Sequence, residues 1–358
     1  MNGKSPSSYD VAKLAGVSRS TVSHVLNGSN AVSLSDETKD KVRKAAQILG
    51  YRPNSAAVML KKGTTDTVGL LITETASLRV DGFIPLLHYA IAEVLRREGL
   101  SLLLETFQRR EGVNPYNDLV VSRRIDGLLV LSPSASDKDL TDLIDSGFPM
   151  VLIGSIGHPK EIAVSSTIVE SSLKAAAHVV GLGHRRIGCV PFSKLDFAAT
   201  EGRLRDLRSA LAAQGVAMEE SAIVHADFSA ESGHAATLAL MAAHPDITAI
   251  FAGNDTIALG VIGALASLGL SVPQDVSVIG FDDLPFAASI TPPLTTVRIE
   301  AEAQGRIAAE LLVRRLRGVP IEETRVLLPS EFIERGSSAP VRADGMPRGY
   351  AAEPVRPG

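Results

Sequence analysis

Tyr9-Asp-Val-Ala-Lys-Leu-Ala-Gly-Val-Ser-Arg-Ser-Thr-Val-Ser-His-Val-Leu-Asn27 decides how this chain is built. Val11, Ala12 and Ala15 fall on one face of a short helix, and Asp10 is placed to cap or favour its N-terminus. Gly16 permits a tight turn. Ser18 is a good N-cap for a second helix, in which Val22, Val25 and Leu26 point inward while Arg19, Ser20, Ser23 and His24 stay free. Two short helices joined by a glycine turn, the second with a small polar outer face, fit the major groove of DNA. A third helix starts near Ser35, has Asp36 and Glu37 in its favourably polarised first turn, and runs through Val42, Ala45 and Leu49 to Gly50. Three helices close a minimal core.

The charge of the whole chain, −4, hides an uneven distribution. Residues 1–62 hold ten Lys or Arg against four Asp or Glu, a net of +6, which leaves −10 for the remainder. A basic arm suited to phosphate and a separate acidic body follow from that split. At 358 residues the chain exceeds what one core usually spans, so two or three folded units are expected. Apolar residues at 45% and charged residues at 21% are ordinary for a folded globular protein. A single cysteine, Cys189, excludes an internal disulfide and a thiolate metal cluster, and fits a reducing cytoplasm. The N-terminus lacks a signal-peptide core, and no run of 18 uncharged apolar residues suggests a membrane span. No cofactor or metal is expected.

From Thr67 onward, short apolar runs alternate with helical stretches. Strands are expected at 67–72, 101–104, 127–131, 150–153, 187–190, 248–251 and 277–281, and helices near 84–98, 115–124, 137–146, 169–182, 201–214, 230–243 and 255–269. This order means βαβ units with parallel sheets buried on both faces. The strands are too many for one comfortable sheet, so two Rossmann-like lobes are expected, with ligand bound at strand carboxyl ends facing the cleft between them.

Asp10-Val-Ala-Lys-Leu-Ala-Gly-Val-Ser18, Thr21-Val-Ser23, Val25-Leu-Asn-Gly28 and Gly50-Tyr-Arg-Pro-Asn54 closely resemble the lactose-repressor family of transcriptional regulators. Leu182-Gly-His-Arg-Arg-Ile187, Phe251-Ala-Gly-Asn-Asp255, Val278-Ile-Gly-Phe-Asp-Asp283 and Pro292-Pro-Leu-Thr-Thr-Val297 extend the likeness to about Arg335. The resemblance implies an all-α helix-turn-helix domain over 1–53, a hinge helix and linker over 54–66, and an α/β periplasmic-binding-protein-like (type I) sensor over 67–335. It places chain crossings between the lobes near 160–168, 288–294 and 318–324. Arg19, Ser20 and His24 are then base readers, with Tyr9, Ser18, Thr21, Ser23, Asn27 and Asn54 as further DNA contacts. The family usually has Arg where His24 stands, and His has a shorter reach without a fork for guanine. A two-residue lengthening at Ala31-Val-Ser-Leu-Ser35 is a second departure.

Asn54-Ser-Ala-Ala-Val-Met-Leu-Lys-Lys62 is only about eight residues of helix-compatible sequence, too short to be stable without a partner. The family supplies one: paired hinge helices enter the minor groove, where Ala57 and Leu60 match its positions and Leu60 is the wedge. Its effector contacts fall on Phe83, Arg203, Phe228, Asn254 and Asp282, a set of fixed charges, one amide and aromatic faces that suits a sugar or polyol. Gly154 stands where the family often has Asp, and the loop from Glu74 to Gly82 is longer than usual. Residues 336–358 are rich in Pro, Gly, Arg and Ala without apolar periodicity, which reads as a disordered tail. With no terminal leucine heptad, the expected assembly is a homodimer on a near-palindromic operator.

Two other classes compete. An enzyme lacks its motifs here: no Gly-x-Ser-x-Gly elbow, Walker loop or His-Glu-x-x-His occurs, and the adjacent Asp282 and Asp283 would point oppositely on a strand. A solute-binding protein shares the sensor fold but needs export. Between repressor and activator the sequence leaves both open.

Overall fold

The computed structural model describes residues 6–26, 34–52, 63–73, 75, 77–106, 114–192 and 198–342. Contacts divide the chain into two units at Asp66. In the first, helices α1 (Ser8–Ala15), α2 (Arg19–Leu26) and α3 (Asp36–Leu49) pack Val11, Ala12, Val22, Val42, Ala45 and Ala46 into one small core. Asp10 favours the start of α1 as expected, from inside the first turn. Ser7 is the N-cap and Asp10 sits three residues into the helix, where its Oδ2 accepts from the Ser7 N–H at 2.9 Å, closing a capping box. Gly16 (φ 68°) and Gly50 (φ 64°) end α1 and α3 in the left-handed conformation that glycine adopts at no steric cost. Ser18 caps α2 as expected, taking the Thr21 N–H at 3.1 Å.

The second unit is two lobes. The first lobe's sheet runs β10 (Arg325–Pro329), β5 (Ala163–Thr167), β4 (Met150–Ile153), β3 (Gly127–Leu131), β1 (Thr67–Ile72), β2 (Ser101–Thr106), all parallel. Its inner strands alternate between two cores. Leu70 and Ile72 face helices Phe83–Arg97 and Ala301–Leu316, whereas Leu71 faces Tyr116 and Leu140 on the opposite side. The second lobe's sheet runs β11 (Glu331–Ile333), β9 (Thr295–Arg298), β8 (Ser277–Asp282), β7 (Ala249–Ala252), β6 (Ile187–Val190), with β11 antiparallel to β9. Helices Ala230–Ala243 and Asp255–Ser267 cover one face, and Val169–Gly181 and Ala198–Ala213 the other. The first pair meets closely: a Cβ on Gly260 would land on the carbonyl oxygen of Ala230.

The chain crosses between lobes at Ile168, at 299–300 and at Ser330. Only the first lies at the edge of an expected position; the other two correct the expected 288–294 and 318–324. The displacement has one cause. Strands β5 and β9 are rich in Ser and Thr, β10 and β11 hold only three and two adjacent apolar residues behind a charged one, and the helix Ala301–Leu316 mixes Glu and Arg among its alanines and leucines, so none reads as a long buried run. The three crossings are tied together. Ser330 Oγ donates to the Thr167 carbonyl at 2.8 Å and lies 2.6 Å from Ser171 Oγ, while Gln304 Nε2 donates to Ser166 Oγ at 2.7 Å.

Residues 336–342 correct the expectation of a disordered tail; 343–358 lie outside the described residues. Ser337 is fully buried: its Oγ donates to the Val278 carbonyl at 2.6 Å and accepts the Thr295 N–H at 2.8 Å. The Ala339 carbonyl lies 3.0 Å from His184 Nε2, and the Val341 N–H donates to Leu182. Backbone and hydroxyl bonds hold this segment, which is why hydrophobic periodicity misses it. No helix among the described residues is long and apolar enough to cross a membrane.

Candidate functional site

Arg19 and Ser20 project from the start of α2 and are exposed, as are Ser18 and, on α1, Tyr9; Thr21, Ser23 and His24 are half-buried. The hydroxyl of Ser18 lies 2.8 Å from that of Ser20 and 2.9 Å from that of Thr21, so the three form one small network at the helix start. His24 Nδ1 is buried and has no hydrogen-bond partner among the described residues. Asn27, Asn54, Ala57 and Leu60 lie outside the described residues.

The carboxyl ends of the parallel strands open onto a cleft of about 380 Å³ between the lobes. Phe83, Arg203, Phe228, Asn254 and Asp282, each expected from the sequence to contact effector, all line it. The cleft also takes in residues the sequence reading missed, among them Asp81, Ser155, Ser166, Phe192 and Gln304. Phe192 was legible in principle, since it follows β6 as Asn254 follows β7.

Arg203 organises the second-lobe wall. Its Nη1 donates to the Gly253 carbonyl at 2.7 Å and its Nη2 to Asp282 Oδ1 at 3.1 Å. The guanidinium lies 3.7 Å from the Phe281 ring centroid and 4.7 Å from that of Phe192, while Phe192 and Phe228 meet at 4.9 Å. Burial holds the Asp282 carboxyl well above the usual range; Arg203 opposes this, and Asp81 and Asp255 add to it. Asp282 (φ 106°) and Asp283 (φ 56°) both have backbone conformations that side-chain-bearing residues rarely adopt. Two devices fix this corner. Asp283 pairs with Arg298 at 2.8 Å and Arg335 at 2.7 Å, so its side chain leaves Asp282's, as the sequence suggests. Asp255 accepts the Leu284 N–H at 2.7 Å and the Thr296 hydroxyl at 2.6 Å; burial nevertheless pushes its carboxyl up to about 7. A Cβ on Gly280 would collide with Asp255 Oδ1, so glycine is required there.

Asn254 begins the helix Asp255–Ser267, its Oδ1 accepting the Ile257 N–H at 2.7 Å. Its Nδ2 is buried and has no hydrogen-bond partner among the described residues. On the first-lobe side, Gly154 has φ 111°, and a Cβ there would approach Pro133 Cδ to 2.9 Å. An aspartate at this position would be strained, which accounts for the departure from the family pattern. The following loop wraps the buried Glu161, which accepts from the Ser155 hydroxyl and from the N–H groups of Ile156 and His158 and pairs with Arg325 at 3.2 Å. Ser155 is thereby held at the cleft wall. No group of three or more His, Cys, Asp or Glu among the described residues could hold a metal ion, and burial pushes the Cys189 thiol up to about 12.

The arrangement can bind, through one stacked guanidinium, two carboxylates, an unpaired amide, hydroxyls and phenyl faces, a small polar molecule with both donors and acceptors. Comparison with known proteins accords with this. The model for bacterial regulatory proteins of the lacI family matches residues 9–54, and that for a periplasmic binding protein-like domain matches 176–338. The chain is 34% identical over 331 residues to the HTH-type transcriptional regulator CelR of Thermobifida fusca, covering 91% of this chain and 96% of the relative. It is 31% identical over 335 residues to the HTH-type transcriptional repressor PurR of Vibrio atlanticus, covering 92% and 97%. Among solved structures, a complex of the transcriptional regulator CelR with cellobiose superposes with a TM-score of 0.70 at 33% identity, over 93% of this chain and 100% of the other. The lac repressor dimer bound to operator and the anti-inducer ONPF gives 0.81 at 26% identity, over 94% and 100%.

Proposed function

Because the chain belongs to the lacI family of bacterial regulatory proteins, DNA-binding regulators and not enzymes, we propose that it is a homodimeric repressor whose operator affinity is controlled by a carbohydrate bound between its lobes. The observation that carries the reading is Asn254 Nδ2, a buried donor without a partner among the described residues, on a side chain that lines the cleft. Leaving such a group unmade costs about 1–3 kcal/mol, a cost that a ligand oxygen removes. The hydroxyl and carboxylate groups of Asp81, Ser155, Ser166 and Asp282 around it suit the many O–H groups of a sugar. The relative CelR, whose solved complex holds cellobiose, makes that disaccharide the first to try.

A purine is the second reading, favoured by the likeness to PurR repressors. Against it, Phe192 and Phe228 pack on each other, and the Arg203 guanidinium already lies over one face each of Phe192 and Phe281. A regulator that reads the chromosome works in the cytoplasm. At the DNA face, Tyr9, Ser18, Arg19, Ser20, Thr21, Ser23, His24, Asn27 and Asn54 take the contacts the resemblance implies, and Ala57 and Leu60 take the minor-groove role.

The test is a thermal-shift screen of mono- and disaccharides and purines, followed by operator binding with and without each hit. A ligand at 100 times its Kd adds about 2.7 kcal/mol of stability. A sugar that shifts both melting and operator affinity supports the reading; a purine that does so, with every sugar silent, replaces it.

A further inference from the structure

The segment after β1 departs from the form its family resemblance leads one to expect, and its side chains lie across the cleft. Ser77–Val80 is a single helical turn in the first lobe's connection. Yet Val80 packs against the second lobe's core. A Cβ on Gly82 would sit 2.7 Å from Leu284 Cδ1, which also belongs to the second lobe. Phe83 contacts both lobes' cores at once. Three anchors within four residues, Val80, Gly82 and Phe83, therefore bridge the lobes, and Asp81 lies among them.

Asp81 is partly buried and lines the cleft with Arg203 and Asp282. Among the described residues its hydrogen bond is local: Oδ1 accepts the Phe83 N–H at 3.0 Å. That bond fixes the carboxylate's direction and uses one lone pair of one oxygen. Burial raises its pKa, and Arg203 acts against that rise. From the second lobe, Asp282 is committed to Arg203 through Oδ1.

We propose that Ser77–Phe83 is a strap by which the first lobe grips the second, and that it delivers Asp81 as a specificity residue accepting hydrogen bonds from the effector's hydroxyl groups. The second half rests on the carbohydrate reading; the first does not. A sugar bridging Asp81 and Asp282 contacts both lobes, so its affinity depends on the strap being seated. The strap thus links recognition of a hydroxyl pattern to the relative position of the lobes.

The experiment uses the full-length chain with spin labels on cysteines introduced at Lys138 and Glu231, exposed positions on opposite lobes; the buried, unreactive Cys189 stays unlabelled. Without ligand, Val80→Ser lengthens or broadens the interlobe distance measured by double electron–electron resonance. Distances identical to those of the parent overturn the strap. For Asp81, the sugar found by thermal shift is compared with its singly deoxygenated analogues. One hydroxyl whose removal costs the parent protein about tenfold in affinity costs Asp81→Ala nothing, with folding of the variant checked by its melting curve. The same penalty in both proteins overturns the specificity role. If no sugar binds the parent, the carbohydrate reading fails and the role of Asp81 as a hydroxyl acceptor fails with it, while the distance measurement still decides the strap.

Discussion

Arg203 and Asp282 face each other at 3.1 Å with the guanidinium stacked on Phe281, so the cation that steadies the buried carboxylate is itself held by an aromatic face. Removing either partner leaves the other without compensation in a poorly solvated wall. Arg203→Ala or Asp282→Ala therefore weakens effector binding by about 1–3 kcal/mol, roughly ten- to a hundredfold. Operator binding titrated with the identified sugar reads the effect. A folded variant that responds at parental sugar concentrations would show that neither residue contacts the ligand.

Asp255 makes a pH-dependent contribution whose sign can be worked out. Its folded pKa, about 7, lies above the ordinary 3.8, so the folded state binds the proton more tightly and ionising the group costs stability as pH rises. His178 and His184, whose pKa values burial lowers, act oppositely, losing stability as pH falls below about 6.5. The difference between variant and parent separates the two. Asp255→Asn gains stability relative to the parent on going from pH 5 to pH 8, by up to a few kcal/mol at about 1.4 per pKa unit. Melting curves at four pH values check it; a constant difference would place the Asp255 pKa near its usual value.

Two glycines on one helix respond to alanine with opposite sign. At Gly260 the added methyl meets the backbone of Ala230 and His234, which cannot move without separating the helices, and destabilises by about 1–3 kcal/mol. At exposed Gly263 the nearest atom, His234 Cδ2, is 3.7 Å away, and Gly263→Ala stabilises by about 0.5–1 kcal/mol through helix propensity. Urea denaturation of both variants decides; equal signs would mean the helix pair is more loosely packed than described.

His24→Arg changes base preference at one symmetric position of the operator, because arginine forks onto guanine where a half-buried imidazole with a buried Nδ1 has one nitrogen to offer. Selection of binding sites from random duplexes reports the preference, worth about 1–3 kcal/mol for a good bidentate pair. An unchanged profile assigns His24 to the packing of α2.

The helix-turn-helix was legible because its core stripe, caps and turn glycines are local signals; Asp10 reads as favouring the first helix's start, and Ser7, which it satisfies reciprocally, is the cap itself. The inner strands β1, β3, β4 and β7 were legible as short, largely apolar runs buried on both faces. Strand β10, whose residues alternate between exposed and half-buried, was not, and with it went the position of the last crossing. At the cleft, Arg203, Asn254 and Asp282 came from the family likeness. Asp81 and Gln304 did not, because what makes them cleft residues is tertiary: a strap anchored by Val80 and Phe83, and a helix that begins beside Ser166.

The ties among Thr167, Ser166, Gln304 and Ser330 have a mechanical consequence. Three separate strands between two bodies would let them slide, tilt and twist independently. Bound to one another within a few ångströms, they behave as a single pin, and the bodies are left with one soft degree of freedom, a swing about that pin. Far from the pin, a small angle becomes a large displacement. Thr67, at the amino end of β1 and so at the end of the sheet away from the cleft, is where such a swing displaces the first lobe most.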